Sequence, residues 1–225
     1  MALTRLDSDE RRKAIVAAAV PLFARNGFTG TTTRELAEAA GISEALLFRH
    51  FPSKQTLYRE ILRAACDGDP ALEQLAMLPP TRETLVCMVR FMVRRFVLGG
   101  ETERAALDAR LRLVLHSYLE DGAYARELYE TIGARVVPLF VASIAAAQAA
   151  GDLVATPGAA ANRFWFAQHV AAMMAFANLP KDRCVPYEGT TEDFVEEASR
   201  FVLRGIGMTD AVIDAATPPL PVAAD

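Results

Sequence analysis

An all-α protein is expected from this sequence: a small N-terminal three-helix domain with a helix-turn-helix pattern, then a larger C-terminal helical domain. Three observations point there. Apolar residues make up 52% of the chain, enough for a substantial core, and alanine is abundant while alternating Thr/Val/Ile runs are scarce. Helix-start signals recur along the whole length. Two short helical patterns meet at Gly41, as a helix-turn-helix requires. The expected division is residues 1–66 and residues 67–225, with a Pro/Gly/Asp-rich junction from Asp67 to Pro80.

The first helix is expected from about Asp9 to Asn26, capped by Ser8, with Asp9 and Glu10 at its positive end. Ile15, Ala18, Ala19, Leu22 and Phe23 form its apolar stripe, and Gly27 stops it. Thr32 with Glu35 fits a capping box for a second helix ending at Gly41. A third follows Ser43 and ends near Phe51. Pro52 interrupts, and Ser53 caps a fourth, Lys54 to about Cys66. Long helices then cover approximately 81–98, 102–119, 123–150, 157–178 and 191–206. Thr156 reads as a cap with Pro157 at the first helical position. Thr190 and Asp193 form another capping box. The tail from Thr217 to Asp225 holds three prolines and is expected to be disordered.

Charge is unevenly spread. Residues 1–66 carry ten Lys/Arg against seven Asp/Glu, net +3, while residues 67–225 carry fourteen against twenty-one, net −7. A basic head on an acidic remainder points to a polyanion partner for the head alone, although a surplus of three is weak by itself. Cys66, Cys87 and Cys184 lie far apart, without CxxC spacing, so a reducing cytoplasm is expected. Residues 1–13 are polar and charged, unlike a signal peptide. The greasy run Val136 to Ala150 is broken by Pro138, Ser143 and Gln148, and reads as a buried helix too short to span a membrane.

The segment from Thr32 to Phe51 carries the functional information. Glycine at position 41 accepts the left-handed backbone of a tight turn. Leu36, Ala37, Ala40, Ile42, Leu47 and Phe51 have the spacing of a small inward core, the alanines being small where helices approach closely. At about 100° per residue, Leu47 and Phe51 point to one side of the third helix while Ala45 and Arg49 point to the other, flanked by Leu46, Phe48 and His50. Such a face suits a major groove, where arginine bonds a guanine edge and an apolar group meets a thymine methyl. Taken without the turn, Arg49 reads as a solvated surface cation.

This stretch resembles the TetR family of tetracycline-repressor-like regulators. The likeness rests on Thr32 to Ser43, on Leu47-Phe48-Arg49-His50-Phe51-Pro52-Ser53-Lys54 with Leu57-Tyr58, and on Leu22 to Phe28 at the end of the first helix. It covers about residues 9–62, and beyond them only the architecture carries over. The resemblance implies that Thr33 and Arg34 meet the DNA backbone and a base edge. Ser43 opens the reading helix, and Glu44, Ala45, Leu46 and Arg49 occupy base-reading positions. Phe48, His50 and Lys54 occupy phosphate-facing ones. The family's tyrosine is replaced here by Phe48, so a phenolic bond to phosphate is lacking. Leu46 either reads a thymine methyl or packs inward; Glu44 either accepts from a cytosine amino group or repels wrong sequences.

The C-terminal part is expected to pair two chains. The helix at 157–178 is apolar almost all round, and the one at 191–206 has a clear apolar stripe. Phe164, Ala171, Ala172, Ala175, Phe194 and Phe201 are the candidate dimer contacts, with intrachain core as the competing reading. Phe91, Met92, Phe96, His116, Tyr129, Phe140, Trp165, His169 and Met173 are the candidate walls of an effector pocket, although an ordinary core has the same composition. Expected partners are near-palindromic operator DNA, a second copy of the chain and a small, largely apolar effector. No membrane, metal or cofactor is expected. His50, His116 and His169 lack metal spacing, and no phosphate loop or nucleophile elbow stands out, so an enzyme is not expected. The competing functions are an activator of the same fold and a helical adaptor that binds only protein.

Overall fold

The computed structural model describes residues 7–66, 70–99, 101–154, 157–182 and 184–216. Its helices are α1 (Ser8–Gly30), α2 (Thr33–Ala39), α3 (Glu44–His50), α4 (Lys54–Cys66), α5 (Pro70–Ala76), α6 (Arg82–Val97), α7 (Glu101–Leu119), α8 (Ala123–Ala149), α9 (Ala160–Ala177), α10 (Thr191–Gly205) and α11 (Asp210–Ala215). The fold is all-α. Among the described residues the β-type contact is an isolated bridge between Leu153 and Met208. Two compact units result: one of residues 1–68 with 108–130, the other of 69–107 with 131–225. Residues 108–130, the end of α7 and the beginning of α8, thus pack with the N-terminal helices.

In the first unit, side-chain caps start the short helices. Asp7 caps α1: its carboxylate accepts from the Asp9 amide at 3.2 Å, and Glu10 accepts from the Asp7 amide at 3.3 Å. The cap falls one residue before the expected Ser8, because Asp7 and Glu10 can satisfy two amides reciprocally. Thr32 caps α2 with its hydroxyl 3.2 Å from the Glu35 amide, and the Glu35 carboxylate returns to the Thr32 amide at 2.8 Å. That bond holds the Glu35 carboxyl below its ordinary range. The Ser43 hydroxyl accepts from the Leu46 amide at 3.2 Å to start α3, and the Ser53 hydroxyl from the Thr56 amide at 3.1 Å to start α4. Ile15, Ala19, Phe23, Leu36, Ala37, Leu47, Phe51, Leu57, Tyr58 and Ile61 are buried together. Phe23 meets Tyr58 edge-on at 4.9 Å, and Tyr58 lies 5.1 Å from Tyr124 at the beginning of α8.

The second unit is built on α6, which packs against both α9 and α10. Its core joins Leu85, Val89 and Val93 of α6, Phe140 and Ile144 of α8, Phe164 and Ala171 of α9, and Val202 and Leu203 of α10. Three expectations need correction here. Helix α9 begins at Ala160, with Ala159 as a cap that makes no side-chain bond, because Gly158 at φ 99° breaks the helical path after Pro157; Thr156 lies outside the described residues. Helix α5 stands in the junction expected to be loop, since Pro70 opens a helix and proline suits the first helical position. Helix α11 was not expected, being too short to show a period. The expected disordered tail, residues 217–225, lies outside the described residues.

Helix α8 also corrects a length argument. Starting at Ala123, it is long and apolar enough by composition to cross a membrane. Val136, Phe140, Ile144 and Ala147, however, form a row buried in the second unit's core, and Tyr124, Ala125 and Leu128 are buried in the first unit. Apart from buried Ser143, the other residues of α8 are half-buried or exposed, so it packs through one face only.

Gly27 is the one backbone position in α1 that departs from helix, at φ 72° and ψ 179°, a region open in practice to glycine alone. A Cβ there would also stand 2.9 Å from Glu120 Oε1 and 3.0 Å from His116 Nδ1. Gly27→Ala is expected to cost about 1–3 kcal/mol, read as a lowered urea midpoint. An unchanged midpoint would contradict the conformation described.

Candidate nucleic-acid interface

The outer face of the helix-turn-helix follows from two helices with opposite demands. On α3, Leu47 and Phe51 are 2% and 1% exposed and anchor the helix, so the residues a half-turn away must face solvent. Glu44, Ala45, Phe48 and Arg49 are exposed, and Leu46 and His50 are half-buried. The Arg49 guanidinium makes no hydrogen bond or ion pair among the described residues, which leaves all its donors for a ligand. Leu46 is intermediate between its two expected roles. Gly41 turns the chain at φ 65° between the two helices.

The remaining expected contacts are already engaged within the chain. The Thr33 hydroxyl donates to the Glu44 carboxylate at 2.7 Å, tying the first residue of α2 to the first of α3. Arg34 pairs with Glu38 one turn on, at 2.9 Å, on an exposed surface where such a pair contributes little. Ser43 is occupied as the cap of α3. Burial pushes the His50 imidazole below its ordinary pKa, with Arg49, Arg12 and Arg11 adding repulsion.

Lys54 is engaged within the chain in the absence of DNA. It was expected to face phosphate from the start of α4. Its ammonium donates to the carbonyls of Phe28 and Thr31, at 2.7 and 2.8 Å, and lies 4.4 Å from the Phe28 ring centroid. Carbonyls at a helix end are partly negative and unsatisfied by the helix itself, so they compete effectively for a nearby cation. Arg12 was missed by sequence reasoning. It donates to the His50 carbonyl at 2.6 Å, covers the Phe51 ring at 4.3 Å and reaches Glu60 at 3.6 Å. The available signal was spacing: positions 12, 16, 19 and 23 share the inward face of α1, and Val16, Ala19 and Phe23 are buried there.

The candidate dimer and effector residues are redistributed as well. Phe164, Ala171, Ala172 and Ala175 are buried inside their own chain, so they are not the unpartnered surface of α9. Phe194 is half-buried and stacks on Tyr187 at 4.3 Å. Phe201 is 65% exposed, as are Phe166 and Met173, and Glu197 and Arg204 beside Phe201 face solvent. Phe140 is buried in the core against Phe164, and Phe91, Met92, Phe96 and Trp165 are half-buried around it. Met173 and His169 are exposed and line no interior wall. His116 and Tyr129 belong to the first unit, His116 beside Gly27 and Tyr129 accepting from the Tyr118 hydroxyl at 2.7 Å.

Comparison with known proteins finds related sequences for the head and related folds for the chain. Residues 15–61 fit the model of bacterial regulatory proteins of the tetR family. The HTH-type transcriptional regulator RutR of Escherichia coli K12 is 44% identical over 57 residues, 25% of this chain and 27% of that one. The HTH-type transcriptional activator FasR of Mycolicibacterium smegmatis is 30% identical over 112 residues, 50% of this chain and 44% of that one. The chain thus spans less than half the length of these curated relatives. Solved structures share the fold over most of the chain. A tetR-family regulatory protein from Rhodococcus RHA1 has a TM-score of 0.66 at 18% identity, covering 89% of this chain and 99% of that one. AibR, crystallised with isovaleryl coenzyme A and operator DNA, has a TM-score of 0.64 at 18% identity, covering 89% and 100%.

The fold and the head together define an all-helical helix-turn-helix protein with a separate helical body. Residues 15–61 match the model of bacterial regulatory proteins of the tetR family, and the chain shares its fold with solved tetR-family proteins.

Proposed function

We propose that this chain is a dimeric, sequence-specific DNA-binding transcriptional regulator, released from its operator by a small, largely apolar ligand. The observation that carries the DNA-binding reading is α3: Leu47 and Phe51 are buried while Ala45, Phe48 and an unengaged Arg49 face out. Residues 1–66 form the reader, with Thr33, Arg34, Glu44, Ala45, Leu46, Phe48, Arg49 and His50 at or beside the DNA. Residues 67–225, apart from 108–130 that pack with the reader, hold the effector and the partner chain. Arg49 supplies a bidentate guanine contact, and Phe48 packs on the sugar-phosphate backbone. The site of action is the cytoplasm.

A second copy covers the exposed stripe of α9 and α10. Phe166 and Met173 lie seven residues apart on one face of α9, and Phe201 lies on α10, which packs against α9. Large apolar side chains that are 65% exposed on neighbouring helices are costly to leave in water. Two helices from each subunit would pair these faces and place two readers on one operator.

The effector reading is supported by polar groups inside the second unit. Ser143 Oγ and Gln168 Oε1 are buried and have no hydrogen-bond partner among the described residues. Each unsatisfied group costs about 1–3 kcal/mol, which a bound molecule bearing a donor removes. AibR carries an acyl coenzyme A on the same fold. Repression is the first reading of the output, since KstR2 of Rhodococcus jostii, 44% identical over 57 residues, is a repressor. Activation is the second, because FasR, matched over 112 residues, is an activator.

Three outcomes are expected. On duplexes selected from a random pool, Arg49→Ala should lose about 1–3 kcal/mol of binding and accept another base at one position of each half-site. Equal losses on selected and random DNA would remove Arg49 from base reading. In sedimentation at micromolar concentration the chain should show twice its 24.4 kDa mass, and Phe166→Asp with Phe201→Asp should return it to one; a double variant that still sediments as a dimer places the interface elsewhere. Finally, any apolar ligand that lowers DNA affinity roughly 5–150-fold should itself bind that much more weakly in the presence of operator. A ligand whose affinity ignores operator is not the effector.

A further inference from the structure

A cleft of about 240 Å³ opens inside the first unit, between the opening turns of α4 and those of α8. Helical spacing builds it. Gln55, Tyr58 and Arg59 fall three and four residues apart on one face of α4, and Ala123, Arg126 and Glu130 repeat that spacing on α8. The buried part of the wall is aromatic: the Tyr58 and Tyr124 rings lie 5.1 Å apart at 46°. The outer part is polar, since Gln55, Arg59, Arg126 and Glu130 are all exposed.

Two features of this wall are unused within the chain. Tyr58 is 8% exposed, and its hydroxyl is shut off from solvent without a hydrogen-bond partner among the described residues. A buried hydroxyl in that state costs free energy that a ligand atom can restore. Burial pushes the Tyr58 phenol well above its ordinary range, with Tyr124, Glu120 and Asp121 adding to the shift. At neutral pH it therefore keeps its proton and is a donor. The second feature is charge. The Arg59 and Arg126 guanidinium groups make no hydrogen bond or ion pair among the described residues. Glu127 also lines the cleft but is already engaged within the chain. That leaves Glu130 against two arginines, so the spare charge of the cleft is positive.

We propose that this cleft is a second small-molecule site, placed in the reading unit itself, for a monocarboxylic acid carrying a single planar ring. It is separate from the effector reading of the second unit and does not depend on DNA binding. Volume sets the size of the ligand: the cleft is smaller than the roughly 300–1,000 Å³ of sites for drug-sized molecules, so one ring with a short side chain fits and a nucleotide does not. Charge sets the head group. A carboxylate takes paired, charge-assisted bonds from a planar guanidinium, and here one guanidinium comes from α4 and one from α8. Tyr58 adds a neutral donor. Glu130, one turn after Arg126, repels a second negative charge and so favours a monoanion over a phosphate. The two tyrosine rings set the body, which packs on them edge-on or offset. A bound acid would tie α4 to α8. Helix α4 packs on α1, and Tyr58 meets Phe23 there, so occupancy stiffens the scaffold that carries α2 and α3.

Benzoate and phenylacetate are the probes, with benzylamine as the cationic control, titrated into the full-length chain without DNA and followed by calorimetry and amide NMR. At least one acid should bind with a Kd of about 1 mM or tighter, ordinary for a ligand of this size, and should shift the amides of residues 55–61 and 123–130. Benzylamine should bind roughly tenfold more weakly or not at all. Arg59→Ala and Arg126→Ala should each weaken the acid roughly tenfold, and Tyr58→Phe by a smaller factor. If Tyr58→Phe fails to fold, the arginine variants decide, because their side chains are exposed. Four results would each overturn the site: no saturation by either acid at about 10 mM, equal binding of benzylamine, shifts confined to the second unit, or full affinity in either arginine variant. None of them bears on the DNA-binding reading, which is judged by the duplex titrations alone.

Discussion

Helices of seven residues do not persist alone in water, where roughly 12–15 residues are needed for even marginal stability. Both halves of the reader, α2 and α3, have that length. Everything around them supplies what their own hydrogen bonds cannot. Side-chain caps satisfy the first amides, at Thr32 for α2 and at Ser43 for α3. Leu36 and Ala37 bury one helix, Leu47 and Phe51 the other. The surface they are buried on is made by α1 and α4, with Phe23 and Tyr58 at its centre. A reader built this way is as well placed as the longer helices beneath it.

Those longer helices are themselves held at the end of α1. Gly27 breaks the helix, Thr31 ties back to it, and the Thr29 amide donates to Glu120 at 3.3 Å. His116 and Glu120 approach Gly27 so closely that a Cβ there would push one of them aside. The end of α7 and the beginning of α8 are thus structural parts of the reading unit, although they are distant in sequence. Tyr124 extends the aromatic cluster from the same segment.

How much of this was legible in the sequence depends on the range of the interaction. The capping boxes at Thr32 and Thr190, the turn at Gly41 and the two faces of α3 rest on residues within a turn or two of each other, and they could be read directly. The cap of α1 was misplaced by one residue because Asp7 and Ser8 are both good caps and only the Glu10 reach separates them. The bonds of Lys54 were not legible because its partners, Phe28 and Thr31, lie more than twenty residues away and are backbone atoms, which leave no trace in side-chain identity. The split of α9 failed for another reason. A helix apolar all round has no stripe to tell its inner face from its outer one, so Phe164 and Ala171 could not be separated from Phe166 and Met173.

The inward cations change how the charge of the head should be understood. A surplus of three over residues 1–66 looks like a modest attraction for a polyanion. Yet Lys54 and Arg12 are directed to carbonyls and Arg34 to Glu38, so net charge and outward-facing charge are different quantities. Arg49 stands at the face without a partner in the chain, and close to it Glu44 is held by Thr33. A carboxylate fixed at the reading face repels phosphate and offers nothing to most base edges. On a matching site it can accept from a cytosine amino group; on others it remains desolvated and unpaired. Of the ten Lys/Arg in residues 1–66, Arg12, Arg34 and Lys54 are committed within the chain, so the net charge of the head overstates the positive charge free to meet a polyanion.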